Sequence, residues 1–282
     1  MKLVLVGGTS SIAVALKQKL SEFCEVITAG RTNCDLKIDL SDSLENIVFP
    51  NDIDVVIHTA AHFGGKSASE IIEAENINVL GTLKLCEAAL KANVKHFVYI
   101  SSIFANLKPE AENYSVYALS KKHAEELATY YCTLHNLPLT ILQPSHLYGL
   151  EDSFRKHQPF FYSILDKAKN HEEITLYGTN DPIRNYLFME DLSTIISKVI
   201  QQKVTGIYPC TYRSDVTYTE IAKAAFKVLD TNGTINFLQD KPNIPSFKYN
   251  KDDSLYQKID FYPQINIEEG FRKIVNNTIK SR

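Results

Sequence analysis

The sequence predicts an α/β protein whose core is a doubly wound parallel sheet, followed by a smaller substrate-binding lobe. Short, almost wholly apolar runs alternate with helical patterns through the first 150 residues, as expected for parallel strands that helices cover on both faces. The first run leads directly into a glycine-rich turn and a helix. Small or polar residues follow the later runs. We therefore expect ligands to bind beyond the carboxyl ends of the strands.

Length, charge and cysteine content limit the class of protein. The 282 residues suffice for a large domain, and the formal net charge of −3 gives no reason to expect nucleic acid as a partner. The five cysteines form no Cys-x-x-Cys pair, so we expect free thiols in a reducing compartment and no metal site. The apolar start is too short for a signal peptide or a membrane span. We therefore expect a cytoplasmic protein without a membrane partner.

The first predicted strand covers residues 3–6 and ends at the turn that we expect to bind the cofactor. Gly7 begins this turn, and a helix follows over 14–20. Small residues there would let backbone N–H groups and the helix N-terminus approach a pyrophosphate. Ser10 and Ala13 replace the second and third glycines of a Gly-x-x-Gly-x-x-Gly pattern, and the alternative is a strand-to-helix turn without a ligand. The predicted cofactor-binding residues of this turn are Gly7, Thr9, Ser10, Ser11 and Ile12.

The second and third predicted strands indicate which nicotinamide cofactor to expect. The second covers 25–29 and is followed closely by Arg31. An acidic residue here would bind a ribose 2′-hydroxyl, whereas an arginine pairs with a 2′-phosphate. We therefore expect NADP, with NAD as the alternative. The third strand covers 37–40, and its Asp39 and Leu40 would flank the adenine.

The fourth predicted strand, residues 54–58, ends at small residues that again admit a ligand near the backbone. We expect His58 in the core and not at a metal. A long helix is predicted over 67–92, and a fifth strand over 96–100 leads to Ser102. The small cofactor-binding residues after the fourth strand are Thr59, Ala60 and Ala61.

The helix predicted from Tyr117 to about His135 carries the pair of residues on which the site depends. Positions four apart share a helix face, so the Tyr117 phenol and the Lys121 ammonium would point into one space. A free phenol titrates near pH ~10, and a nearby cation would lower its pKa by roughly 1 to 3 units. We therefore expect Tyr117 to act as an acid or base at neutral pH. The alternative for Tyr-x-x-x-Lys alone is a helix with a solvated lysine.

A sixth strand is predicted over 139–142, and the segment that leaves it contains Pro144, a predicted cofactor-binding residue, and His146. We expect residues 1–150 to form the dinucleotide-binding domain. Residues 151–282 would form mainly a substrate-binding lobe, with segments that return to the sheet. Helices are expected in this lobe over 158–169, 191–202, 217–229 and 267–279.

Seven stretches of the chain carry a recognisable pattern through their order and spacing. They cover residues 6–13, 56–61, 78–82, 97–102, 117–121, 142–149 and 177–186. Together they resemble the extended short-chain dehydrogenase/reductase family, the NAD(P)-dependent epimerases and dehydratases of nucleotide sugars. The resemblance covers nearly the whole chain and implies a Rossmann fold and a nucleotide-linked sugar as the substrate.

The resemblance also implies a role for each polar residue of the site. Ser102 would hydrogen-bond the reacting oxygen, and Tyr117 would donate or remove its proton. Lys121 would bind the nicotinamide ribose and lower the pKa of Tyr117. Arg184 would clamp the diphosphate of the sugar nucleotide, a task that suits a bidentate guanidinium. His146 stands where asparagine is common and would contact the substrate or the nicotinamide, and the family implies a homodimer.

Two departures from the family pattern bear on the activity. The 4,6-dehydratases carry Thr-Asp-Glu where this chain has residues 102–104, Ser-Ile-Phe, so the acid and base for elimination of water are missing. Dehydration is therefore not expected. Gln143 replaces a frequent arginine.

Three functions remain open on the sequence. The first is an oxidoreductase that passes a hydride between NADP(H) and C4 of a nucleotide-linked deoxyhexose, with Tyr117 protonating the carbonyl oxygen; Arg31 favours it. The second is a C4 epimerase with a retained NAD, which uses the same residues. The third is a dinucleotide-binding sensor or scaffold without turnover, which only the altered glycine turn supports.

Overall fold

The computed structural model describes residues 1–247, 249 and 251–280. The strands are β1 (Lys2–Val6), β2 (Glu25–Gly30), β3 (Leu36–Lys37), β4 (Val55–His58), β5 (His96–Ile100), β6 (Leu139–Pro144), β7 (His146–Tyr148), β8 (Ile174–Tyr177), β9 (Ile183–Arg184), β10 (Tyr186–Phe188), β11 (Gly206–Cys210), β12 (Val216–Thr217) and β13 (Ile235–Leu238). The α-helices are α1 (Ser11–Leu20), α2 (Ala68–Glu75), α3 (Gly81–Lys91), α4 (Val116–Leu134), α5 (Ser153–His157), α6 (Pro159–Lys169), α7 (Met189–Gln202), α8 (Tyr218–Leu229), α9 (Ser254–Ile259) and α10 (Ile267–Lys280).

The chain divides into two compact units, each built from more than one segment. The first unit comprises residues 1–144, 193–210 and 252–261. The second comprises residues 145–192, 211–251 and the chain from 262 onwards. Two stretches of the C-terminal half therefore belong to the first unit.

The first unit contains a seven-stranded sheet in the order β11-β6-β5-β4-β1-β2-β3, in which every neighbouring pair is parallel. The predicted doubly wound parallel sheet is confirmed. Leu3, Val4 and Leu5 of β1 are fully buried, so both faces of the central strand are covered. The strand order reverses between β1 and β4, where Val6 pairs with His58, and folds of this kind bind ligands at such a point.

Within the seven-stranded sheet, two strands differ from the prediction by more than two residues or were not predicted. β3 covers only Leu36–Lys37 and not 37–40. The Asp39 carboxylate accepts hydrogen bonds from the backbone N and the Oγ of Ser41, at 3.0 and 2.8 Å, and this turn ends the strand. β11 was not predicted; it lies at the edge of the sheet beside β6, a position that tolerates its Pro209.

The long helix predicted over 67–92 is present but is not uniform. α2 begins after Ser67, which forms a capping box with Glu70. A π-helical turn over Asn76–Leu80 separates α2 from α3. Wide turns of this type are frequent at functional sites, and this one carries the buried side chain of Asn78.

The other predicted helices are present with shifted ends. α4, α6, α8 and α10 begin and end within one residue of the predicted bounds, whereas α7 begins two residues early, at Met189, and α1 three residues early, at Ser11. α8 follows a capping box formed by Thr217 and Glu220. None of the described helices is both long and apolar enough to span a lipid bilayer.

The described residues of the second unit form three two-stranded sheets, and two of them place side chains that the sequence singled out. In the parallel pair of β7 and β10, His146 lies opposite Tyr186. In the antiparallel pair of β9 and β12, Arg184 lies opposite Val216. β8 and β13 form the third pair, which is parallel.

Candidate active site

Ser102 and Tyr117 lie at the starts of two helical segments that follow β5. Ser102 caps a 3₁₀ turn over Ile103–Asn106, and its Oγ accepts a hydrogen bond from the backbone N of Phe104 at 3.3 Å. Tyr117 lies in the first turn of α4, whose N-cap is Ser115. The Ser102 hydroxyl lies beside the Tyr117 phenol. The structure therefore brings together two of the three predicted catalytic residues.

Lys121, the third predicted catalytic residue, is almost completely buried, with 2% of its surface exposed. Its Nζ donates a hydrogen bond to the carbonyl oxygen of Ile100 at 3.0 Å. The same atom lies 4.6 Å from the ring centre of Tyr99 and 5.9 Å from that of Tyr117. Burial lowers the pKa of Lys121 to about 7, and the nearby Glu125 carboxylate opposes this shift.

The pKa of Tyr117 differs from the value expected from the sequence. Burial raises it to about 12, and the Ser102 side chain acts in the opposite direction. Lys121 does not reverse the rise, because a lysine with a pKa of about 7 has lost its charge at the higher pH where Tyr117 would ionise. The expected lowering of the Tyr117 pKa is therefore wrong for this arrangement of groups.

Two residues that contribute to this site were not predicted. The ring of Phe63, which is 57% exposed, stacks on the ring of Tyr117 with 4.9 Å between centroids. Asn78 joins the segment that carries Phe63 to α4. Its side chain accepts from the backbone N of His62 at 2.7 Å and donates to the His62 carbonyl oxygen at 2.7 Å and to Ser120 Oγ at 2.8 Å. Among sequence signals, only the position of Asn78 within a motif of the resemblance pointed to this contact.

The predicted pyrophosphate-binding turn is tightly packed and keeps backbone donors available. Gly7 has φ +83°, and a Cβ there would lie 2.6 Å from the backbone N of Ala60, so only glycine fits. Ser10, at the position of the second glycine, caps α1, and its hydroxyl lies 2.9 Å from that of Thr59. The N–H groups of Ser11 and Ile12 find no acceptor within the described chain. This turn therefore fits the pyrophosphate of a dinucleotide.

The end of β2 presents an exposed cation. Arg31 follows β2 directly and is exposed, and β2 is paired with β1 up to Ala29. The carboxylate of Asp35, the acidic residue next in the chain, accepts hydrogen bonds from Thr28 N and Thr28 Oγ1 at 2.9 and 2.7 Å. A carboxylate in these contacts has less capacity for a ribose hydroxyl, whereas the guanidinium faces solvent.

The remaining predicted cofactor-binding residues lie in different surroundings. Asp39 is half-buried and forms the turn with Ser41, and Leu40 is buried, with its carbonyl accepting from Lys84 Nζ at 3.0 Å. The other three lie at strand ends: Thr59 is buried, Ala61 is exposed, and Pro144 is buried at the end of β6 opposite Cys210.

In the second unit, Arg184 is 6% exposed and lies between aromatic rings. Its guanidinium carbon is 4.5 Å from the ring centre of Phe247 and 5.4 Å from that of Tyr218. Nη1 donates to the carbonyl oxygens of Ile183 and Pro245 at 2.8 and 2.6 Å. Within the described chain, no carboxylate lies within 4.0 Å of the guanidinium, so its charge is available to an anion.

His146 is half-buried in an aromatic cluster of the same unit. Its Nδ1 lies 3.2 Å from the hydroxyl of Tyr249, and its ring packs against Tyr186 with 5.3 Å between centroids. Burial, with Arg184 nearby acting in the same direction, lowers the pKa of His146 to about 4. The imidazole is therefore neutral at physiological pH and suits hydrogen bonding rather than anion binding.

The other candidate groups have structural roles. His58 is fully buried, stacks on Tyr99 and hydrogen-bonds Thr82, so its predicted place in the core is confirmed. All five cysteines are free thiols, as predicted. In the described part of the chain, no group of three or more His, Cys, Asp or Glu side chains is arranged to hold a metal ion.

With this geometry established, comparison with known proteins identifies the family. The model of the NAD dependent epimerase/dehydratase family matches residues 4–212, which is well over half of the chain. The chain belongs to this family. The resemblance stated from the sequence, the predicted fold class and the prediction of an enzyme are thereby confirmed.

Comparison with individual proteins shows how far the likeness extends. CDP-abequose synthase of Salmonella typhimurium is 27% identical over 166 residues, which are 57% of this chain and 54% of that protein. The chain thus spans about half the length of this relative. Two solved structures share the fold over almost their whole length. They are UDP-N-acetylglucosamine 4-epimerase from Bacillus cereus (TM-score 0.82, 21% identity, 99% of both chains) and RMD from Pseudomonas aeruginosa with NADPH (TM-score 0.79, 17% identity, 100% of this chain and 99% of that one).

Proposed function

We propose that the chain is an NADP-dependent 4-ketoreductase that acts at C4 of a nucleotide-linked deoxysugar. The observation that carries this proposal is the grouping of Ser102, Tyr117 and Lys121 in the same unit as the glycine turn. The nicotinamide cofactor supplies the hydride. Tyr117 gives its proton to the carbonyl oxygen of the sugar, and Ser102 hydrogen-bonds the same oxygen. Lys121 binds the nicotinamide ribose and stabilises the tyrosinate that remains.

The two residues that follow Ser102 favour reduction over dehydration. A dehydratase needs an acid and a base beside the sugar, and here Ile103 and Phe104 occupy those positions. Neither side chain can transfer a proton. We therefore propose that the reaction ends at the alcohol.

The surroundings of Arg31 support NADP as the cofactor. Its guanidinium is exposed at the end of β2, whereas the Asp35 carboxylate is engaged by Thr28. A guanidinium can pair with a 2′-phosphate in bidentate geometry. The NADPH complex of RMD, a protein of the same fold, is in keeping with this assignment.

We assign the dinucleotide to the first unit and the diphosphate of the sugar nucleotide to the second. Arg184 supports the second assignment, because its Nε and Nη2 make no hydrogen bond within the described chain and its charge is unpaired there. His146 would add a neutral hydrogen-bonding group for the substrate. The name CDP-abequose synthase, borne by a relative, agrees with a nucleotide-linked substrate.

The second candidate function is a C4 epimerase with a tightly retained NAD. The Bacillus cereus epimerase of the same fold favours it. The same catalytic residues would serve, because an epimerase oxidises C4 and then reduces it from the other face. The sensor or scaffold without turnover is disfavoured, since the chain belongs to a family of enzymes and carries a serine, a tyrosine and a lysine in place.

The test is to identify the dinucleotide and measure the contribution of Arg31. Denaturing the purified protein should release little NAD, and NADPH should then bind at least about tenfold more tightly than NADH in a fluorescence titration. Arg31→Ala should remove most of this preference, whereas Lys169→Ala, an exposed lysine at the end of α6, should leave it unchanged. Stoichiometric release of NAD would favour the epimerase instead, and equal affinities for the two cofactors would overturn the assignment of Arg31.

We also propose a homodimer. Large apolar side chains are exposed on α2 and α4: Ile72 is 59% exposed, Tyr130 68% and Leu134 59%. Burial of such side chains against a second copy would be favourable. Light scattering should give about twice the chain mass; a monomer at micromolar concentration would contradict the proposal.

A cytoplasmic location is proposed from the cysteines. All five are free, which suits a reducing compartment. Recovery of the protein from an oxidising compartment after cell fractionation would contradict this proposal.

A further inference from the structure

Glu125 is a buried carboxylate that none of the roles above explains. It lies on α4 one turn beyond Lys121, and only 7% of its surface is exposed. A carboxylate is seldom buried to this degree without a partner that offsets the loss of hydration. The partners of Glu125 therefore indicate what it does.

An amide on β6 holds the carboxylate in one orientation. Gln143 Nε2 donates to both carboxylate oxygens of Glu125, at 2.9 and 2.8 Å. The amide is itself fixed, because its Oε1 accepts a hydrogen bond from Asn106 Nδ2 at 2.8 Å. Two oxygens that both accept hydrogen bonds suit the ionised form of the carboxyl group. Burial raises the pKa of Glu125, whereas the Ser101 and Gln143 side chains and the Lys121 charge favour its ionised form.

Gln143 is neutral, so the charge of Glu125 is not cancelled by its hydrogen-bonding partner. Two lysines precede it on the same helix by about one turn: Lys121, which is buried, and Lys122, which is exposed. Lys121 and Glu125 do not form an ion pair within 4.0 Å, and Lys121 Nζ instead donates to the Ile100 carbonyl. The charges therefore act on each other through the field in a buried environment, where such interactions are stronger than in water.

We propose that Glu125, held by Gln143 and Asn106, is a positioning residue that increases the fraction of Lys121 that is protonated at neutral pH. The catalytic part of this inference rests on the proposed function, in which Lys121 stabilises the tyrosinate. The coupling of the two charges does not rest on it. Without this carboxylate the pKa of the buried amine would be lower. A smaller fraction of the protein molecules would then carry the Lys121 charge that stabilises the Tyr117 phenolate.

The other titratable groups near this pair stay in one state through the neutral range. On β4, burial holds the pKa of His58 well below its usual value, with the Lys121 charge acting in the same direction. On β5 and α4, burial raises the pKa of Tyr99 far above its usual value and that of Tyr117 to about 12. On β11, burial raises the pKa of Cys210 well above its usual value.

Glu126, the neighbour of Glu125 on α4, is a different case because it is exposed. Its carboxylate faces solvent, which weakens its field at Lys121. Lys121 is therefore the group of this cluster that titrates near neutrality. Glu126 also provides the matched control for the experiments.

The first experiment is a double-mutant cycle in thermal unfolding, which needs neither substrate nor cofactor. Lys121→Met and Glu125→Gln are made singly and together, and the unfolding midpoints are compared at about pH 6 and about pH 9. Glu125→Gln keeps the shape of the side chain and an oxygen that accepts from Gln143. Burial lowers the pKa of Lys121 to about 7, so its amine is mostly charged at the lower pH and mostly neutral at the higher.

The coupling between the two sites should therefore be present at the lower pH and lost at the higher. We expect it to amount to about 2 °C or more in the unfolding midpoint at pH 6. Glu125→Asp, which keeps the charge, should restore most of it, and Glu126→Gln should show none. A coupling that is equal at both pH values would assign Glu125 a purely structural role, and absence of coupling at both would overturn the proposal.

The second experiment measures the pH profile of kcat/KM. In the wild type, kcat/KM should fall as the pH rises above about 7, because Lys121 loses its proton. In Glu125→Gln this fall should move to lower pH by at least about half a unit, with no move in Glu126→Gln. An unmoved profile in Glu125→Gln would overturn the catalytic part of the proposal. If the protein reduces no sugar nucleotide, the thermal cycle still decides whether the charges are coupled, so failure of the proposed function is distinguishable.

Discussion

Each of the two units buries a cation, and the two cations are held differently. Lys121 of the first unit is 2% exposed, donates to one carbonyl and lies over the ring of Tyr99. Arg184 of the second unit is 6% exposed, donates to two carbonyls and lies between the rings of Phe247 and Tyr218. The surroundings are thus alike in burial and in aromatic contacts.

The charges of the two groups depend differently on pH, because an amine can lose its proton on burial and a guanidinium cannot. Burial lowers the pKa of Lys121 to about 7, so its charge depends on pH and on Glu125. A guanidinium keeps its charge throughout the physiological range. Lys121 therefore suits a site where protons move, and Arg184 suits a site where a constant positive charge holds an anion.

The largest effect is expected when the Tyr117 hydroxyl is removed, which tests whether this group transfers a proton. Tyr117→Phe removes the phenolic proton but keeps a ring that can stack on Phe63. We expect kcat to fall by about 10³-fold or more, while the affinity for NADPH changes little. Tyr114→Phe, a half-buried tyrosine before α4, is the control and should retain full activity. Substantial turnover by Tyr117→Phe would end the assignment of Tyr117 as the acid.

A smaller effect is expected at Arg184, because we propose that this residue holds the substrate and does not transfer a proton. Arg184→Lys keeps a cation but loses the planar group that stacks on Phe247 and reaches two carbonyls. We expect KM for the sugar nucleotide to rise by about 10-fold to 100-fold, with a much smaller change in kcat. Arg213→Lys, an exposed arginine of the same unit, is the control. An unchanged KM with a lowered unfolding midpoint would mean that Arg184 only stabilises the second unit.

The parts of the site that depend on local spacing could be predicted from the sequence. Tyr117 and Lys121 share a helix face because they are four residues apart, and α4 lies where the pattern placed it. Gly7 was predicted because a turn between a strand and a helix needs a residue without a side chain, and its φ of +83° agrees. The cofactor preference of Arg31 and the roles of the site residues stay predictions.

Contacts between distant segments could not be predicted in the same way. Phe63 and Tyr117 are far apart in the chain, and nothing in either segment indicates that their rings stack. Glu125 is four residues beyond Lys121, so its face could have been predicted. Its burial and its contact with Gln143 depend on how β6 packs beside α4.

The sequence by itself determined the alternation of strands and helices, the glycine turn and the helix face shared by Tyr117 and Lys121. These follow from hydrophobic periodicity, from capping residues and from local backbone conformation, which neighbouring residues decide. Only the tertiary structure decided the protonation states of the two side chains on that face. The pKa values of Tyr117 and Lys121 depend on how completely each group is removed from water, and the packing of β5 and β6 against α4 determines that removal.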